Sequence, residues 1–301
     1  MISVLDSLPS VRGKYIYDAP LKNSVWFRVG GPAEILFKPA DVDDLCVFFK
    51  EKSRHIPVTI LGVGSNVLVR DGGIPGVTIK LGPSFSKITW KGTTITAGAG
   101  ALDRTVALTA AQAGIGGFSF LSGIPGTIGG AINMNAGAYG HEIKDILRSC
   151  QVVTAKGTIE ERFPDDLGFS YRKSLLKDDE IVVSATFEGI ARAPEDLEQE
   201  IAHILKEREA SQPTRARTGG STFKNPEGIK AWQLIDAVGF RGKTLGGAIV
   251  SEKHCNFLIN TGTATAHDLE TLGNEIQKHV LNQSGISLEW EIKRLGVEEK
   301  D

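Results

Sequence analysis

Short runs of β-branched and apolar residues, each closed by Gly, Pro or Asp, fill the first two thirds of the chain. Ala33-Glu-Ile-Leu-Phe-Lys38, Val58-Thr-Ile-Leu61, Val77-Thr-Ile-Lys-Leu81, Ile88-Thr-Trp90, Thr94-Ile-Thr96 and Ile181-Val-Val-Ser-Ala-Thr-Phe187 are predicted strands. Lys91-Gly92 and Lys156-Gly157 are predicted hairpin turns. Two helices interrupt them: one capped by Asp41 with Val42, Leu45, Phe48 and Phe49 on a shared face, and one from Leu102 to Ala113 that ends at Gly114. After Arg192 the period lengthens. Pro194 opens a helix striped by Leu197, Ile201, Ile204 and Leu205, which Ser211-Gln-Pro213 closes. Trp232, Ile235 and Val238 mark a short helix ended by Gly239. Leu269, Leu272, Ile276 and Val280 mark a longer one, capped by Thr265 with Asp268 three residues on. His254-Cys-Asn-Phe-Leu-Ile259 reads as a strand between them. Leu288-Glu-Trp-Glu-Ile-Lys-Arg-Leu295 alternates, with Leu288, Trp290 and Ile292 toward a core and Glu289, Glu291 and Lys293 away from it.

The pattern predicts an α+β chain of two unequal lobes with a boundary near residues 190–215 and a ligand in the cleft between them. A length of 301 residues suits about two domains. With 41% hydrophobic residues and a net charge of −2, no chain-wide footprint for nucleic acid exists. Basic residues gather only locally, at Arg215, Arg217 and Lys224. No apolar run approaches about 18 residues, and the first ten residues mix Asp, Ser and Pro, so the cytoplasm and no membrane partner are expected. Cys46, Cys150 and Cys255 are odd in number and far apart, which predicts neither a disulfide framework nor a metal site.

Two glycine-rich segments change the picture. Ser122-Gly-Ile-Pro-Gly-Thr-Ile-Gly-Gly-Ala131 carries Gly123, Pro125, Gly126, Thr127, Gly129 and Gly130; Leu61-Gly-Val-Gly-Ser-Asn66 carries Gly62, Gly64, Ser65 and Asn66. Glycine removes the side chain that would keep a ligand from the backbone and permits positive φ, so several N–H groups can converge on a pyrophosphate. Two such loops point to a dinucleotide, although tight turns of a β-rich domain would also use these glycines. A Rossmann fingerprint would need a third glycine at Val67, and a P-loop would need one at Ala237. Three polar positions then stand out. Ser221 follows two glycines in Gly219-Gly-Ser-Thr-Phe-Lys-Asn-Pro226, Arg172 lies in Gly168-Phe-Ser-Tyr-Arg-Lys-Ser174, and Glu291 is on the alternating C-terminal run. A hydroxyl becomes a useful acid only against a strongly basic carbanion in a dry pocket, and a guanidinium fork suits a carboxylate. Taken singly, each also fits a polar loop, a solvated arginine or a charged strand face.

Asn23-Ser-Val-Trp-Phe-Arg-Val-Gly-Gly-Pro-Ala33, Gly62-Val-Gly-Ser-Asn66, Ser122 to Ala131, Asn135-Ala-Gly-Ala-Tyr-Gly140, Tyr171-Arg-Lys-Ser174, Gly220-Ser-Thr-Phe-Lys-Asn-Pro226 and Leu288-Glu-Trp-Glu291 resemble, in order, the UDP-N-acetylenolpyruvoylglucosamine reductases. The resemblance implies a vanillyl-alcohol-oxidase/PCMH-type FAD-binding domain at 21–192, built of two α+β subdomains. It follows a segment 1–20 and precedes a smaller α+β substrate-binding domain at 193–301, whose last strand returns to the active site. It implies non-covalent FAD held by the two glycine loops, NADPH as reductant, and a monomer that reduces UDP-N-acetylglucosamine enolpyruvate in peptidoglycan synthesis. Arg172 and Glu291 match the family's substrate-polarising pair and Ser221 its proton donor; Tyr139, Lys224 and Asn225 match substrate-binding positions. Some members carry a long insertion between the Tyr-Arg and Ser motifs that brings a tyrosine over the substrate. Here one helix fills that short interval, so the chain resembles the shorter, second type. A flavin-linked oxidase of the same fold would explain the glycine loops without the Ser and Glu motifs, and a nucleotide-sugar-binding module would bind without turnover.

Overall fold

Gly92 and Gly157 turn the chain at the two predicted hairpins with φ of 61° and 71°, values that suit a residue without a side chain. The computed structural model describes residues 8–299, so the first seven residues of the expected N-terminal segment lie outside it. The described residues form two units. One comprises those of Met1–Tyr17, Ile35–Gly62 and Gly76–Glu207, and the other those of Asp18–Glu34, Val63–Pro75 and Arg208–Asp301. This differs from a division at residue 193. The apolar stripe of the helix beginning at Pro194, namely Leu197 and Ile201, packs into the core of the first unit, and two early segments pack with the C-terminal residues.

In the first unit an antiparallel five-stranded sheet runs in the order Ile159–Arg162, Leu147–Val153, Ile181–Glu188, Thr94–Gly98, Ile88–Lys91. The apolar residues of its central strand are buried on both faces: Ile181 and Val183 enter one core cluster, Val182, Ala185 and Phe187 the other. A four-stranded sheet, lying mainly in this unit, has the order Lys14–Ala19, Ala33–Lys38, Ile74–Ile79, Val58–Ile60, the last pair parallel. Helix α1 is Val42–Glu51, and its Asp41 cap accepts from the Asp44 N–H at 3.0 Å. Helix α2 is Asp103–Gln112; α3, Ile128–Asn133, begins inside the Ser122–Ala131 glycine segment, where no helical period is visible in the sequence. Helices α4, Pro164–Leu167, and α5, Pro194–Ser211, complete this part of the chain.

The second unit has one core, in which Phe27, Val29 and Leu68 join Phe223, Phe240, Leu258, Ile276 and Ile292. Helix α6 is Ala231–Ala237. Helix α7 is Ala266–Ser284, with Thr265 and Asp268 forming the predicted reciprocal cap and Gly285 ending it at φ 73°. A three-stranded antiparallel sheet joins Thr244–Leu245, Ala248–Val250 and Leu258–Asn260. The predicted strand His254–Ile259 is therefore a strand only at its end. His254–Phe257 is a turn, closed by the Phe257 N–H to the His254 carbonyl at 3.0 Å. The C-terminal alternating run also splits. Trp290 bridges Phe223, while Lys293–Leu295 pairs in parallel with Val67–Val69.

Candidate active site

The glycine segments of the first unit meet at one hydroxyl. A Cβ on Gly62 would come 3.2 Å from Thr127 Oγ1, and one on Gly130 would come 3.7 Å from the same atom, with nothing else near either. Both glycines are exposed, so backbone lies bare on either side of Thr127. That is a cradle a side chain would fill, and it fits the diphosphate of a dinucleotide. The remaining glycines are demanded by packing. Gly123 faces the Tyr139 ring and Ile204, Gly126 faces the Asp103 carboxyl with 2.6 Å to its Oδ2, and Gly129 faces Ala99. The Ser122 side chain serves the loop itself. It is buried, and its hydroxyl donates to the Ser119 carbonyl at 2.7 Å, which builds the turn. Pro125, partly buried within this loop, has no N–H to offer.

Arg172 sits in a two-residue turn between Ser170 and Lys173 and takes a left-handed backbone, φ 57°. Its Nη2 donates to the Gly137 carbonyl at 2.8 Å and its guanidinium lies 4.9 Å from the Tyr171 ring. Asn135, fully buried, ties that turn to the Asn-Ala-Gly-Ala-Tyr-Gly segment: its Nδ2 donates to the Ser170 carbonyl and to Glu142, while its Oδ1 accepts from the Lys144 N–H. The Tyr139 hydroxyl donates to the Ile204 carbonyl of α5 at 3.1 Å.

The second unit brings Ser221 and Glu291 onto paired backbone. Thr222 accepts from the Glu291 N–H at 2.8 Å, the Lys224 N–H donates to the Glu289 carbonyl at 2.8 Å, and Phe223 and Trp290 stand opposite with ring centroids 5.2 Å apart. Alternation then puts Lys224 and Glu289 on one face, where they form a 2.6 Å ion pair. Gly220, with φ 83°, turns the chain immediately before Ser221, and a Cβ there would lie 3.9 Å from the Ser65 carbonyl. Asn66 of the same loop donates from Nδ2 to the Glu291 carbonyl at 3.1 Å, and its main-chain carbonyl accepts from the Lys293 N–H at 3.0 Å, so side chain and backbone together hold the segment that carries Glu291. Gly64 is required by the close approach of Ser24 and Val25, and its carbonyl accepts from the Trp26 N–H. The Asn225 carboxamide oxygen accepts the first N–H of α6, at Ala231, at 3.0 Å. Sequence reasoning passed over Asn135 and Asn256. The one available signal for Asn256 was an amide inside the apolar run Cys255 to Ile259.

A family profile described as the FAD binding domain matches residues 33–161. One described as the UDP-N-acetylenolpyruvoylglucosamine reductase C-terminal domain matches residues 212–295. The UDP-N-acetylenolpyruvoylglucosamine reductase of Paramagnetospirillum magneticum is 55% identical over 292 residues, 97% of this chain and 95% of its own length. The chain belongs to the UDP-N-acetylenolpyruvoylglucosamine reductase family. The reductase of Azorhizobium caulinodans is 53% identical over 97% of this chain. The crystal structure of the Thermus caldophilus reductase superposes with a TM-score of 0.82 at 34% identity, covering 95% of this chain and all of that one. 6-Hydroxy-D-nicotine oxidase from Arthrobacter nicotinovorans, 13% identical with a TM-score of 0.57, shares the fold. As a UDP-N-acetylenolpyruvoylglucosamine reductase family member the chain is an FAD-containing oxidoreductase with NADPH as reductant. Among the described residues no helix is long and apolar enough to cross a membrane.

Proposed function

We propose that this chain reduces UDP-N-acetylglucosamine enolpyruvate to UDP-N-acetylmuramate in the cytoplasm, as a step of peptidoglycan precursor synthesis. The observation that carries the reading is the pairing of Thr222 with Glu291, which sets the Ser221 hydroxyl and the Glu291 carboxyl on adjacent backbone in a chain of this family. Bound FAD would accept hydride from NADPH and supply hydride to the terminal vinyl carbon of the substrate. Gly62, Thr127 and Gly130 would hold its diphosphate.

The residues of the chain deal with the charge that results. Hydride at the terminal carbon leaves an electron pair on the adjacent carbon, delocalised into its carboxylate. The Arg172 guanidinium, aimed by its bond to Gly137, opposes that charge as it develops. Ser221 then gives its hydroxyl proton to the same carbon, which completes the lactyl ether, and regains a proton from solvent. An ionised Glu291 would oppose the reaction, so it acts protonated or tied to a cation. Lys224, Asn225 and Tyr139 are assigned to the sugar nucleotide. The likeness to oxidases is one of fold, and the Ser221–Glu291 arrangement has no use in an oxidase or a mere binding module.

Ser221→Ala tests the reading. Flavin content and bleaching by NADPH should remain at wild-type levels, while reoxidation by the enolpyruvyl substrate, followed by rapid mixing, should slow by about 10²–10⁴-fold or more. Reoxidation of Ser221→Ala at the wild-type rate would remove Ser221 as the donor.

A further inference from the structure

In an antiparallel pair, a residue flanked by the two interstrand bonds turns its own N–H and C=O outward, toward where the next strand would lie. Phe223 is such a residue, since the bonds to the Trp290 strand are made by Thr222 and Lys224 on either side of it. Among the described residues no strand lies on the outward side. The Asn256 side chain takes that place: its Nδ2 donates to the Phe223 carbonyl at 2.8 Å and its Oδ1 accepts from the Phe223 N–H at 3.0 Å. Its own carbonyl accepts from the Thr222 N–H at 2.7 Å. A carboxamide carries one acceptor and one donor side by side, as a peptide does, and so stands in for a missing strand. Asn256 is 3% exposed and rigidly seated, its N–H donating to His254 Nδ1 at 3.3 Å. On the other side of Ser221, Gly219 lies against the Phe27 ring and Gly220 is in the left-handed region. Immediately after Ser221 the backbone is held by Asn256 on one side and by the Glu291 N–H on the other.

We infer that Asn256 is the positioning residue that holds Ser221 in register for proton donation. The inference rests on the reading of Ser221 as the proton donor. Asn256 touches neither substrate nor cofactor in this role. It acts through the Thr222–Phe223 backbone, where a displacement of about 1 Å at the hydroxyl is worth about 10²-fold in rate.

Asn256→Asp is the decisive variant. An ionised carboxylate still accepts from the Phe223 N–H but sets a second acceptor against the Phe223 carbonyl; a neutral carboxyl restores the donor. At pH 8 the variant should bind flavin and be reduced by NADPH as the wild type is. Its reoxidation by the enolpyruvyl substrate should fall about 10²-fold, with kcat lowered and KM little changed. As pH falls toward 5, its rate relative to wild type should recover. Asn256→Ala should lose rate without that recovery. His254, Cys255, Asp236 and Arg241 beside the turn, and Glu291, Glu289 and Lys224 across the segment, are common to both proteins, so a titration confined to the variant belongs to the new carboxyl. A wild-type reoxidation rate at pH 8, or a loss that does not respond to pH, would overturn the inference. If Asn256→Asp yields no flavin-bound protein, Asn256→Ser decides: its hydroxyl reaches at most one partner, so reoxidation should drop about tenfold with reduction intact, and an unchanged rate would overturn the role. Ser221→Ala, run alongside, separates the two claims. A fast Ser221→Ala defeats the donor reading, whereas a slow Ser221→Ala with a fast Asn256→Asp defeats only the role of Asn256.

Discussion

Asp103 is fully buried at the start of α2, and neither carboxyl oxygen has a hydrogen-bond partner among the described residues. Its N–H donates to the Gly126 carbonyl at 3.1 Å, so it lies directly behind the glycine loop. Burial alone holds this carboxyl well above the ordinary carboxylate range. The unfolded chain releases the same proton near pH 4, at about 3.9 for an unperturbed Asp, while the folded chain keeps it. Stability therefore falls as pH rises from that point to the raised native value. Asp103→Asn removes this titrating group. Its melting temperature should exceed that of the wild type by roughly a few degrees at pH 8, with the difference shrinking toward pH 4. Equal differences at both pH values in paired thermal melts would show that the carboxyl does not titrate in this way. Sequence alone marked Asp103 only as the second residue of a predicted helix; burial, which decides its chemistry, comes from residues far off in the chain.

At the level of elements, α7 seats the strand that carries Glu291. A Cβ on Gly273 would lie 2.3 Å from the Trp290 ring, the Trp290 indole N–H donates to Gln277 Oε1 at 3.0 Å, and Gln277 Nε2 donates to the Leu288 carbonyl at 2.7 Å. Helix propensity by itself favours Ala over Gly by about 1 kcal/mol. Gly273→Ala should nevertheless melt lower and reoxidise more slowly, because Trp290 must leave its seat beside Phe223; a higher melting temperature at full activity would contradict the seating. Helices of this kind were legible in the sequence, since a cap such as Thr265 with Asp268 and a stripe such as Leu269 to Val280 are local signals. Helix α3 was not, because Gly129 and Gly130 are poor helix formers and tertiary packing holds them. The His254 turn read as a strand because β propensity counts side chains and takes no account of the Ser251 hydroxyl accepting from the His254 N–H. The Ser, Arg and Glu positions were visible as motifs. Their partners Asn66, Asn135 and Asn256 were not visible as such, being defined by contacts across long separations.

For the whole molecule, the two glycine loops contain no His or Cys to bond a flavin, and the exposed backbone at Gly62 and Gly130 is suited to reversible contact. Acid or heat precipitation should release the yellow colour into the supernatant, and colour retained on the pellet would contradict non-covalent binding. Added FAD should raise the melting temperature of flavin-depleted protein, by an amount equivalent to about 2.7 kcal/mol at a hundredfold excess over Kd.

The second unit draws its core from three stretches of the chain, and the Asn66 contact to Glu291 spans 225 residues. During synthesis at about 5–20 residues per second, the strand Val67–Val69 emerges roughly 11–45 s before Lys293–Leu295 exists to pair with it. Through that interval Phe27, Val29 and Leu68 have no finished core to enter. The unit that carries Ser221 and Glu291 therefore cannot complete its core until Ile292 has been made, and its earliest apolar segments wait longest to be buried.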